Sequence, residues 1–156
     1  MIQIRRAKLD DVPVLVRFRG ALFKEMGRLN GEEEERSFAS ACERFFTHFI
    51  PQEKFISWVA EENDIIVAVS GLVFFQKPPS PNNHSGKEAY IMNMYTQTEW
   101  RKKGIASRLM KEIFRFLNQE GITSISLHTT EVARSLYEQS GFTLMDNEML
   151  LTTKSN

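Results

Sequence analysis

Apolar positions along this chain change period several times, and each change marks an element. Val12, Leu15, Val16, Leu22, Phe23 and Met26 form one stripe at helical spacing, which Arg19 interrupts. They predict a first helix, with Asp10 or Asp11 at its cap and Pro13 tolerated in its first turn. Phe38, Ala41, Cys42, Phe45, Phe46 and Phe49 predict a second. It begins in the acidic run Glu32 to Glu35, where carboxylates complement the helix dipole, and Pro51 stops it. Ile105, Ala106, Leu109, Met110, Ile113, Phe116 and Leu117 predict a third helix over 104–120, ended by Gly121. A short fourth helix spans 131–140.

Strand-like runs fill the intervals: 2–6, 55–61, 65–75, 90–96, 122–128, and one or two strands within 142–152. Asn63-Asp64 suits a tight hairpin turn. Residues 77–87, with three prolines, two asparagines and a glycine, read as a flexible loop. The strands at 90–96 and 122–128 are joined by a helix, so a right-handed crossover makes them parallel neighbours. Short turns join most of the others. The expected architecture is α/β of the α+β type: one domain over 1–156, with a mixed, mostly antiparallel sheet and helices on both faces.

Composition narrows the partners. Twenty basic and twenty acidic side chains balance, which argues against a broad nucleic-acid surface. No apolar run is long enough to cross a bilayer. With one cysteine, Cys42, no intrachain disulfide forms, which fits a reducing, cytoplasmic setting. His48, His84 and His128 show no metal-ligand spacing, so no metal is expected.

One local charge cluster stands out. The strand at 90–96 runs into Glu99-Trp100-Arg101-Lys102-Lys103-Gly104-Ile105-Ala106, and the third helix opens there. A helix start offers unpaired N–H groups and partial positive charge. Gly104 allows close approach to the backbone. Three basic side chains add charge at the same point, which suits a phosphate or pyrophosphate. Neither a nucleotide P-loop nor a dinucleotide glycine fingerprint is present.

Arg101-Lys102-Lys103-Gly104-Ile105-Ala106 resembles the R/Q-x-x-G-x-G/A signature of the GCN5-related N-acetyltransferase (GNAT) superfamily. Ala133-Arg134-Ser135-Leu136-Tyr137-Glu138-Gln139-Ser140-Gly141-Phe142 resembles that family's A-x-x-L-Y-E-x-x-G-F segment, in the family's order and separation. The resemblance is strong from Tyr90 to Phe142 and loose between Gly27 and Gln52. It implies that the two parallel strands splay at their C-terminal ends. It implies acetyl-CoA in that cleft, held by Met94, Tyr95, Thr96, Arg101, Lys102, Lys103, Gly104, Ile105, Ala106, Thr130, Ser135 and Tyr137. Thr130 stands where family members often carry asparagine.

The implied reaction is direct transfer of the acetyl group to a primary amine of a small molecule or peptide. Its needs are a neutral amine, a fixed donor for the oxyanion and a proton donor near the leaving sulfur. By correspondence, the oxyanion donor is a backbone amide at or near Met94. Tyr137 is the proton donor, although a tyrosine there also closes the end of a core. The aligned position of the family's glutamate base holds Tyr90, which leaves His128 as candidate base and Asn93 as a hydrogen-bonding partner of the amine or a water. Each of these also suits a structural role. Glu25 could line the acceptor pocket or stand as a solvated charge. A non-catalytic acyl-CoA-binding module on the same fold is the alternative function, and monomer and homodimer both stay open.

Overall fold

The computed structural model describes residues 1–154. Five strands form one sheet in chain order: β1 (Gln3–Arg6), β2 (Phe55–Glu62), β3 (Ile65–Gln76), β4 (Lys87–Thr96) and β5 (Ser124–Leu127). All neighbours are antiparallel except β4 and β5, which are parallel. Helices α1 (Val12–Glu25) and α2 (Glu32–Phe49) cover one face, and α3 (Ile105–Gln119) and α4 (Glu131–Gln139) cover the other. The expected mixed sheet with its parallel pair is thus borne out.

Strand alternation sorts the core into two layers. Ile56, Trp58 and Ala60 of β2 join Leu72 and Ile91 beneath Leu109, Met110, Ile113 and Leu117 of α3. Phe55 and Val59 point the other way, with Val69, against Leu15 and Phe18 of α1 and Cys42 and Phe46 of α2. The β2–β3 hairpin turns on Asn63 and Asp64, both at positive φ. Asparagine and aspartate tolerate that region better than most residues.

Three expectations change. Asp11 does occupy the cap position of α1, yet its carboxylate makes no cap bond there. It accepts instead from the Lys8 N–H at 2.7 Å and from the Arg5 guanidinium at 2.8 and 3.0 Å. Strand β5 is shorter than the apolar run around it. The Ile122 N–H is spent on the Leu117 carbonyl in the cap of α3, and His128 lies just past the last paired residue. The strand or strands expected within 142–152 do not form. A strand needs a ladder partner, and this segment has none: Leu144, Met145, Met149, Leu150 and Leu151 are exposed and β5 pairs only with β4.

The β3–β4 register carries a break that shapes the site. Val69 faces Tyr95 and Gly71 faces Met92, so Ser70 opposes both Asn93 and Met94. That is a β-bulge, and Asn93 takes φ +56°. Gly71 is required beside it, because a Cβ there would lie 2.7 Å from the Phe55 ring.

Arg5 ties β1 to both Asp11 and Glu61 of β2. This pairing holds the Asp11 carboxyl below its usual range. A lowered folded pKa means stability that is present above the unfolded value of about 3.9 and is lost as pH falls through the folded value. Asp11→Asn should cost about 1–3 kcal/mol at pH 7 and flatten the acid side of the stability profile. Urea titrations between pH 2 and 7 check this, and parallel profiles for the two proteins would refute it.

Candidate active site

Strands β4 and β5 pair only from Glu88–Ser124 to Ile91–Leu127. Beyond that point Met92 to Thr96 have no neighbour on the β5 side. Asn93 and Met94, in the bulge, have no register partner on β3 either. The strands therefore part at their C-terminal ends, and the parting exposes central-strand backbone.

At the same end, β4 leads through a 3-10 turn, Thr98–Trp100, into the basic segment that opens α3. Lys102 and Gly104 both adopt left-handed φ, +60° and +74°. Among the described residues, the N–H groups from Lys102 to Ala106 meet no backbone acceptor. A turn of this kind gathers successive donors into a concave anion nest. The space beside Gly104 is open, with nothing within 4 Å of where a Cβ would stand.

The basic side chains divide their roles. Arg101 turns back from the nest, bonding the Thr96 carbonyl at 2.9 Å and both oxygens of Glu25 at 2.8 and 2.9 Å. It also lies over the Tyr95 ring, whose hydroxyl donates to Glu25. Tyr95 itself packs on Phe18 of α1, on the face away from α3. Glu25 is thus a latch between the last turn of α1 and the basic turn. Lys103 stacks its ammonium over Trp100. Lys102 makes no ion pair among the described residues. The Thr130 hydroxyl caps α4 by accepting from the Ala133 N–H at 3.3 Å, and Ser135 accepts from Gln139.

Tyr137 comes from the opposite wall. Burial pushes its hydroxyl up to about 12, with the nearby Tyr90 adding a smaller push. The Tyr90 hydroxyl and His128 Nδ1 share a hydrogen bond across the β4–β5 pair. His128 is exposed, and its Nε2 stands 3.8 Å from Glu148. A cleft of about 270 Å³ joins His128, Thr129 and Tyr137 to Leu144, Met145 and Glu148. Asn93 is buried, and neither polar atom of its amide meets a partner among the described residues. A buried amide left so costs about 1–3 kcal/mol, which a bound polar group recovers.

The structure therefore gathers Tyr137, His128 and Tyr90 at one point, with Asn93 and Met94 in the bulge and the anion nest beyond Thr96. The Tyr90–His128 bond was not readable beforehand, because 38 residues separate the two. The role of Arg101 toward Glu25 was likewise hidden, since the pair spans 76 residues. No cluster of His, Cys, Asp or Glu that could hold a metal occurs among the described residues. No helix there is long and apolar enough to cross a membrane.

Known proteins share this fold. Among solved structures, a predicted acetyltransferase from Clostridium acetobutylicum, crystallised with acetyl-CoA, superposes with a TM-score of 0.87 at 27% identity, over 97% of this chain and 96% of that one. A GCN5-related N-acetyltransferase from Ralstonia eutropha JMP134 gives 0.89 at 26% identity, over 98% and 99%. In sequence, the uncharacterized N-acetyltransferase YhfO of Bacillus subtilis is 27% identical over 90% of this chain and 89% of its own length. The mouse probable N-acetyltransferase family 8 member 5 is 28% identical over 54% of this chain, a match spanning 37% of the mouse protein. The model of the acetyltransferase (GNAT) family matches residues 22–142, and the chain belongs to that family.

Proposed function

We propose that this protein transfers an acetyl group from acetyl-CoA to a primary amine by direct attack. The observation that carries the reading is a coincidence at one end of β4: unpaired strand backbone, a left-handed donor nest and a buried tyrosine that keeps its proton. The relative crystallised with acetyl-CoA supports the choice of donor.

The nest from Lys102 to Ala106 receives the pyrophosphate, with Lys102 adding charge. The pantetheine arm lies along Met94, Tyr95 and Thr96, whose β5 side is unpaired. A backbone N–H at or near Met94 stabilises the oxyanion that forms as the amine nitrogen attacks the thioester carbonyl. The amine is positioned by the Asn93 amide. As the N–C bond forms, one amine proton passes to the Tyr90 oxygen while the Tyr90 proton moves to His128 Nδ1. The C–S bond then breaks to leave the thiolate, and the Tyr137 hydroxyl donates a hydrogen bond to the departing sulfur. A hydroxyl with a pKa of about 12 is a weaker acid than a thiol near about 8.5. Tyr137 therefore stabilises the thiolate through a hydrogen bond rather than by surrendering its proton.

Gly104→Glu places a carboxylate in the open space of the nest and strains the left-handed backbone. Affinity for CoA should fall at least about 100-fold, on the scale of a like-charge clash. Calorimetric titration checks this; unchanged affinity sinks the assignment of the nest.

Tyr137→Phe should lower kcat about 100-fold with little change in acetyl-CoA affinity. The wild-type profile should show no falling limb from Tyr137 below about pH 11, because burial holds the proton on. Equal turnover in the two proteins reduces Tyr137 to a packing residue. Binding of acetyl-CoA without turnover of any amine identifies a binding module instead.

For the base, Tyr90→Phe and His128→Gln should each lower kcat, and the double variant should be no worse than either single one. A rising pH limb that stays fixed across acceptors of different basicity, and vanishes in both variants, supports the relay. A limb that follows the acceptor and survives both substitutions assigns deprotonation to solvent.

A further inference from the structure

Three basic side chains stand at the turn that opens α3, and the chain itself already holds the first of them. The Arg101 guanidinium has three engagements. Its Nε donates to the Thr96 carbonyl at 2.9 Å, and its Nη2 donates to both Glu25 oxygens at 2.8 and 2.9 Å. Its Cζ lies 5.5 Å from the centre of the Tyr95 ring. One planar cation thus joins the last turn of α1 to two residues of β4.

Glu25 is placed where only such partners make it tolerable. It is the last residue of α1, and a helix C-terminus disfavours a carboxylate. Among the described residues its donors are Arg101 and the Tyr95 hydroxyl, both at the nest end of the molecule. The preceding residue, Lys24, pairs with Glu35 of α2 at 2.9 Å. The end of α1 is therefore tied both to the start of α2 and to the basic turn. Arg101 is also the residue immediately before the left-handed Lys102, so its anchorage sets where the row of open N–H donors begins.

We propose that Arg101 is a positioning residue rather than a ligand of the acetyl-CoA phosphates: Glu25 and Thr96 hold its guanidinium, and this brace sets the nest. The proposal rests on the acetyltransferase reading of the same turn. Charge toward the phosphates then comes from Lys102 and the backbone donors. The two roles give Glu25 opposite signs. Beside a phosphate ligand, Glu25 competes for the cation and repels CoA, so losing its charge tightens binding. As half of a brace, Glu25 holds the nest in place, so losing its charge weakens binding.

The test titrates CoA calorimetrically into the full chain and into its Glu25→Gln, Arg101→Gln and Arg101→Lys variants and the Glu25→Gln/Arg101→Gln double variant. Glu25→Gln should weaken CoA binding roughly three- to tenfold, although it removes a negative charge near an anionic ligand. Arg101→Gln should give a loss of the same size, and the double variant no further loss. Arg101→Lys keeps the charge but has one nitrogen in place of two separated donors, so it should bind CoA like Arg101→Gln. Thermal unfolding of each variant controls for loss of fold. Unchanged or tighter CoA binding in Glu25→Gln, or wild-type affinity in Arg101→Lys, overturns the brace and leaves the acetyltransferase reading standing. Absence of CoA binding by the unaltered chain overturns both.

Discussion

Strand β4 is paired on both sides only as far as Ile91, and the rest of the site follows from that limit. A strand in mid-sheet ordinarily spends every N–H and C=O on its neighbours. Here β5 ends at Leu127, because the chain before it is used to cap α3 and the chain after it turns into α4. Strand β4 is left with open backbone although it lies between two neighbours in the sheet. Within that stretch the bulge also frees Asn93 and Met94 from β3. A packed domain thereby leaves main-chain groups open away from the outer edges of its sheet.

Both core layers act to hold this gap in place. Phe55 lies against Gly71, where no larger residue fits, and it stacks with Phe46 of α2. On the other face, Leu109, Met110 and Ile113 fix α3 to the sheet and so fix where the basic turn stands. The Glu25–Arg101 pair then joins the end of α1 to that turn.

Much of the fold was legible in the sequence, because three helices carry long amphipathic stripes and Gly104 and Gly121 bracket α3. The anion turn was legible for the same reason: its signal is local. What resisted reading depends on pairing between distant segments. The segment 142–152 has the composition of a strand, but composition does not supply a ladder partner. Asn93 lies in a run of strand-forming residues, and nothing around it announces a bulge, whose cause is the register imposed by β3. Arg19 was visible as a break in an apolar stripe.

Asn93 carries a consequence for how this protein trades durability against use. A non-glycine residue held at left-handed φ, with its buried amide unanswered, makes the free chain less stable than the same fold with an apolar residue and a regular strand there. Selection for ruggedness alone would remove it. A sequence redesigned only for heat resistance would replace this asparagine early and straighten β4, and the hardened molecule would have lost the opening in its sheet.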